Sequence, residues 1–211
     1  MLEKIRGTPG EHLSLEEYLA EVGHYESRVS DRFNKLERMQ HFEEPYDPSW
    51  QMFVAGNWDE ALRLDELERA NVQKMFADFT RQGTSWYRVR VVEFPITPYL
   101  QWEFHGLKLR VECGEHIRIA PVGALASYEA NGPMPEALVV GSVVMYEILY
   151  NKNGAPCGSR RITDPEAIAR SREEIEQLYV AGEDFMSFFN REIAHLPPPD
   201  VKSSSAPSAG S

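Results

Sequence analysis

Only two cysteines, Cys113 and Cys157, occur in 211 residues. That is too few for a disulfide scaffold, and the expected compartment is the cytoplasm. No apolar run reaches the roughly 18 residues that a membrane-spanning helix requires, so no membrane association is expected. The opening MLEKIRGTPGEHLSLEEY is charged and has no apolar core, which argues against a secretory leader. Basic residues are scarce: 22 Lys and Arg face 33 Asp and Glu, for a net charge of −11. An acidic body repels nucleic acid and anionic lipid, so direct nucleic-acid binding is excluded and a basic partner protein is favoured. Arg160-Arg161 is too small a basic spot to alter this. Also missing are a G-x-S-x-G elbow, a P-loop and a dinucleotide fingerprint. The histidines, His12, His24, His41, His105, His116 and His195, do not fall at zinc-ligand spacing. No metal and no cofactor is therefore expected.

What is present suffices for a core. Hydrophobic residues make up 42% of the chain, and a chain of this length buries roughly 70% of its unfolded surface. Residues 1–12 read as a lead-in. Ser14 and Glu17 form a capping-box pattern, and Leu15, Tyr18, Leu19, Val22, Val29, Phe33 and Leu36 follow at helical spacing. Residues 37–43 read as a short strand, and Pro45 and Pro48 as a turn. Trp50, Phe53 and Val54 sit on a short helix ending at Gly56-Asn57. From an N-cap at Asp59, an apolar stripe from Ala61 to Phe79 predicts one helix closed by Gly83.

The most informative stretch is residues 86–119. Arg88 to Phe94 is a β-branched strand. Thr97 caps a helix with Pro98 in its first turn, running to about Val111, and His116 to Ala120 returns as a strand. Residues 121–135 are a loop with some helix, ending at Gly132-Pro133. Ala137 to Tyr150 reads as two strands, or one bent strand, interrupted at Gly141-Ser142. Asn151–Gly154 is a hairpin turn leading to a strand over 156–162. Thr163 or Asp164 caps a last helix, interrupted at Gly182. Residues 196–211, rich in proline and serine, are expected to be disordered.

The strand-helix-strand unit carries the candidate site. Arg88 and Arg90 are two apart and share a strand face; Tyr99 and Glu103 are four apart and share a helix face. If these faces meet, a guanidinium-carboxylate pair forms beside a phenol. Such a group either holds a small anionic ligand or pins helix to sheet. Trp102, Glu115 and Arg118 complete the candidate set, all placed near one sheet edge, with a pocket sought at the carboxyl end of the arginine-bearing strand.

The stretch and its flanks resemble the actinobacterial family filed as domain of unknown function 6879. The matching pieces are Arg88–Val92, Pro95, Thr97, Tyr99, Glu103, Gly114, Glu115, Ile117 and Arg118, with Phe53–Gly56 upstream and Thr163, Asp164, Pro165 downstream. The resemblance covers about residues 30–190. It implies a regulatory role beside a helix-turn-helix regulator. There is also a loose similarity to degenerate phospholipase-D-like sensor domains, but the H-x-K pattern of that superfamily is missing: Leu107 follows His105 and Arg118 follows His116 where lysine is required.

The resulting expectation is an α/β fold: a single domain (37–195) with a mixed β-sheet flanked by helices, a helical N-terminal extension (1–36) and a disordered tail (196–211). The expected function is a non-enzymatic regulatory protein that binds a partner protein, with residues 15–36 as a homodimer contact. The alternative is a small-molecule-binding protein or an unrecognised enzyme using the Arg/Tyr/Glu cluster.

Overall fold

The computed structural model describes residues 2–126, 128–130 and 132–201. In chain order the elements are β1 (Glu11–Ser14), α1 (Leu15–Glu26), β2 (Arg32–Glu37), α2 (Pro48–Val54), α3 (Trp58–Leu67), α4 (Arg69–Gln82), β3 (Ser85–Val92), α5 (Pro98–Cys113), β4 (His116–Pro121), β5 (Ala137–Val140), β6 (Val144–Tyr150), β7 (Pro156–Ile162), α6 (Pro165–Ala181), β8 (Glu183–Asp184) and α7 (Phe185–Phe188). The strands form one mixed sheet in the order β1-β7-β6-β5-β2-β3-β4-β8. Strands β2, β3 and β4 are parallel, joined by helical crossovers, and every other pairing is antiparallel.

Local chemistry fixes most helix starts. The Ser14 hydroxyl accepts from the Glu17 amide, and the Glu17 carboxylate accepts from the Ser14 amide. Thr97 caps α5 through the Leu100 amide, and Asp164, rather than Thr163, caps α6 through the Ala167 amide. Gly141, with φ of +52°, turns β5 into β6, so the interrupted apolar run is a hairpin of two strands.

The two sheet faces carry different cores. On one face Leu36, Val89, Val91, Val139 and Met145 pack under Ile168, Ile175 and Leu178 of α6. The opposite face has two separate clusters. Phe33, Trp86, Val140 and Tyr146 meet Val22 of α1 and Phe76 and Phe79 of α4. Val92, Ile117 and Ile119 meet Trp50 of α2, Leu100 and Phe104 of α5, and Phe185 of α7.

Four expectations need correction. The helical stripe ends at Glu26; Phe33 and Leu36 belong to β2 and are fully buried in the core. They are not available for a homodimer contact, and a domain boundary at 36/37 falls inside a strand. Residues 38–43 are not a strand, because the Glu136 carboxylate takes the Arg38 and Met39 amides that a ladder would need. The stripe from Ala61 to Phe79 is two helices, broken at Glu68, whose amide bonds back to Asp65. The lead-in contains the edge strand β1, paired with β7. Of the expected tail, residues 202–211 lie outside the described residues. Pro197 accepts a hydrogen bond from Gln101 on α5, and Leu196 and Val201 pack on the aromatic cluster.

At Gly158, φ is +148° and a Cβ would sit 2.4 Å from the Leu13 carbonyl oxygen. Gly158→Ala is expected to push β1 off β7 and lower stability by about 1–3 kcal/mol. A fall in Tm with early amide exchange at residues 11–14 would show it, and an unchanged Tm would contradict this pairing.

Candidate functional site

Side chains alternate across a strand. On β2, Leu36 faces α6, so Lys35 and Glu37 face the other way. On β3, Val89 and Val91 face α6, so Trp86, Arg88 and Arg90 share the side of Lys35 and Glu37. The parallel register sets Lys35 beside Arg88 and Glu37 beside Arg90. A charged stripe thus runs along the sheet between the two aromatic clusters. Above it lies a cleft of about 430 Å³. Lys35, Glu37, Trp86 and Arg88 form its floor. Tyr99, Trp102, Glu103, Gly106 and Arg110 of α5 form one wall. Asp65, Glu68 and Val72 from α3 and α4 form the other, and Glu44 and Asp47 come from the segment before α2.

The floor is held by ion pairs. Arg88, 7% exposed, donates from Nη1 to Glu37 Oε2 and from Nε to Glu115 Oε1, each at 2.7 Å. Lys35 pairs with Glu37 at 2.7 Å, and Arg110 pairs with the second oxygen of Glu115. Arg90 is fully buried. Its Nε donates to Glu103 Oε2 at 2.9 Å and its Nη1 to the Met39 carbonyl at 2.6 Å. The Tyr99 hydroxyl lies 3.4 Å from both Glu103 and Glu44.

These contacts set the protonation states. Burial disfavours the Glu37 carboxylate, but the charges of Arg88, Lys35 and Arg90 outweigh it and hold the carboxyl well below its usual range. Glu115 is likewise buried, and Arg110 and Arg88 hold it low. Glu103 moves the other way: burial raises it, and Arg90 only partly offsets that because Glu37 adds a repelling charge. Burial pushes the Tyr99 phenol well above its usual value. Glu44 is pushed up to about 7 by burial, with Glu37, Glu103 and Asp47 adding to it against Lys35. Burial raises Asp65 to about 6.

The expected pair with a phenol beside it is therefore present, as Arg90, Glu103 and Tyr99. Arg88, Tyr99, Trp102 and Glu103 face one cleft. Arg90 lies beneath it and Glu115 behind Arg88. Arg118 is not part of the group: it takes the register position beside Val89 and lies over the Tyr179 ring of α6 on the opposite face. Nor is β3 near a sheet edge, since β2 and β4 flank it. The cleft opens over the sheet face between α4 and α5, because Phe42, Trp50 and Tyr99 fill the space at the carboxyl end of β3 beside Val92. The Trp102 indole N–H is engaged by the Ser49 hydroxyl at 2.8 Å, and that hydroxyl donates to the Ala61 carbonyl, tying α5 to α2 and α3.

Sequence reasoning missed Lys35, Glu37, Glu44, Asp65, Gly106 and Arg110. A period-two signal existed for Lys35 and Glu37 but was hidden by extending a helix to Leu36 and starting a strand only at Glu37. Glu103, Gly106 and Arg110 fall at helical spacing on one face, a pattern readable without coordinates. Nothing local marks Glu44 or Asp65.

Removing one partner of a buried ion pair leaves a charge without compensation, at a cost of about 3–5 kcal/mol. Glu115→Ala is therefore expected to destabilise the chain by that amount in urea unfolding, and a loss below about 1 kcal/mol, the range of surface pairs, would contradict the assignment. A second expectation concerns pH. The Glu44 carboxyl has a folded pKa of about 7, above its ordinary value of 4.5, so the folded chain binds this proton more tightly than the unfolded chain. Stability contributed by Glu44 is complete below pH 4.5 and is lost as pH rises through 7. Glu37 and Glu115, held low, add no slope in that window. Unfolding free energy measured from pH 5 to 7.5 should fall less steeply in Glu44→Gln than in the native chain; equal slopes would refute this.

No curated protein matches the chain. A family described as "Domain of unknown function (DUF6879)" matches residues 20–190, a span that includes β2, β3, α5 and every residue lining the cleft. The chain belongs to that domain family of unknown function, DUF6879.

Proposed function

We propose that the protein is a non-enzymatic binding protein that takes a small molecule in the cleft between α4 and α5. The observation that carries this reading is the charged floor beneath an open cavity. A sheet face between two aromatic clusters would be filled at lowest cost by apolar side chains, since buried ion pairs are often less stabilising than well-packed hydrophobic residues of similar volume. Here Lys35, Glu37 and Arg88 occupy that face instead, and the 430 Å³ above them falls within the size range of small-molecule sites. The polar groups are fixed by their partners and not by a ligand, so the site is built in advance.

The reading keeps the regulatory role of the expected function. Ligand occupancy would bridge α3, α4 and α5 and so alter the surface presented to a partner protein. The net charge of −11 supports a basic partner only as a diffuse attraction.

Gly106 offers a direct test. It lies mid-helix on α5 facing the cleft, and a Cβ there would meet only Asp65 Oδ2, at 3.8 Å. Gly106→Leu should fill the cleft while leaving stability equal or higher, because glycine inside a helix costs about 1 kcal/mol relative to alanine. A mixed panel of small amines, carboxylates, sugars and nucleosides is screened by thermal shift. The expected result is at least one compound that raises the Tm of the native chain and not that of Gly106→Leu. A panel in which no compound separates the two proteins would overturn the reading.

A further inference from the structure

The sign of the charge facing the cleft identifies the class of ligand. Each cation facing the cleft is already paired with a carboxylate, although three cations share two carboxylates and one net positive charge remains. Arg88 is shared between Glu37 and Glu115, Lys35 lies on Glu37, and Arg110 lies on Glu115. Among the described residues, the carboxylates on the far wall and at the mouth, Glu44, Asp47, Asp65 and Glu68, make no ion pair. Asp47 is engaged by the Trp50 amide and Glu68 by the Asn71 side chain. Asp65 Oδ2 is buried without a hydrogen-bond partner and sits over Gly106 at the cleft wall. Trp86 on the floor and Tyr99 and Trp102 on the α5 wall supply aromatic surface.

From these observations we infer that the cleft binds an organic cation, an aliphatic amine or polyamine, whose ammonium group lies between Asp65 and Glu44 and whose carbon chain lies against Trp86 and Trp102. This inference rests on the proposed small-molecule site and takes the place of the small anionic ligand expected from Arg88 and Arg90. An anion would compete with Glu37 and Glu115 for the cations that hold them, and it would meet Glu44, Asp47, Asp65 and Glu68, which make no ion pair among the described residues. An ammonium group meets donors' partners already in place and gains from aromatic faces.

The ligand's charge also sets a pH dependence. The groups around Glu44 are Lys35 and Glu37 from β2, Tyr99 and Glu103 from α5, and Asp47 at the start of α2. Glu44, at about 7, and Asp65, at about 6, are partly protonated at pH 6. Amine binding must ionise both, so affinity rises from pH 6 to pH 8 and a proton is released on binding.

The experiment is isothermal titration calorimetry of the full chain with spermidine, putrescine and phenethylamine. Inorganic phosphate and citrate serve as anionic probes, each at pH 6 and pH 8. The expected result is amine binding that is tighter at pH 8, with affinity falling about tenfold in Asp65→Asn and in Glu44→Gln, the loss of one charged hydrogen bond, and abolished in Gly106→Leu. Anion binding that Gly106→Leu abolishes, without amine binding, would overturn the charge assignment and leave the small-molecule site standing. Amine binding that survives Gly106→Leu would place the amine on the acidic surface and overturn the inference. Absence of heat with every amine at millimolar concentration would also overturn it.

Discussion

Arg88 holds two segments of the chain at once. It stands on the middle strand of the parallel unit, and its two donor directions reach Glu37 on β2 and Glu115 in the turn between α5 and β4. Each carboxylate is then completed by a second cation, Lys35 or Arg110. Three elements that are distant in sequence are thereby fixed in one geometry, and the register of β2 against β3 is set by charge as well as by hydrophobic alternation. One-residue slippage would place these charges against α6, in an aliphatic core without a compensating partner. The same network accompanies the cleft: α4 and α5 pack on aromatic clusters to either side, and the open volume lies above a charged stripe whose Glu37, Arg88 and Arg90 are themselves buried.

The two aromatic clusters divide the labour between them. The one beneath α2, α5 and α7 closes the carboxyl ends of β3 and β4, where an α/β protein of this topology ordinarily binds its ligand. Closing that end moves any binding site onto the sheet face. Trp102 illustrates the consequence. Its ring faces the cleft, yet its N–H is committed to Ser49, so it offers surface and not a hydrogen bond.

Much of this was legible from the sequence, for identifiable reasons. The capping box at Ser14, the Thr97-Pro98 helix start, Gly141-Ser142 and Asn151–Gly154 are local signals, and each appears where the residues place it. The pairing of Arg90 with Glu103 followed from combining a two-residue period with a four-residue one. What failed was non-local. The segment after Glu37 has strand-like composition, but a carboxylate almost a hundred residues later takes its amides. Arg118 shares the composition of Arg88 but falls on the other side of the sheet, because face is decided by register against β3. Asp65 and Glu44 acquire meaning only once α3 and the segment before α2 are folded over the floor.

Helix α6 bears a burden that its place near the end of the chain conceals. It touches β2, β3, β4, β5 and β6, and so braces the parallel and antiparallel halves of the sheet from below. Its 17 residues measure about 25 Å at 1.5 Å per residue, while five adjacent strands at about 4.8 Å spacing span about 19 Å. A rod of that length is long enough to reach across them. Trimming it by two turns would leave the outermost of those strands, β4 or β6, without a cover.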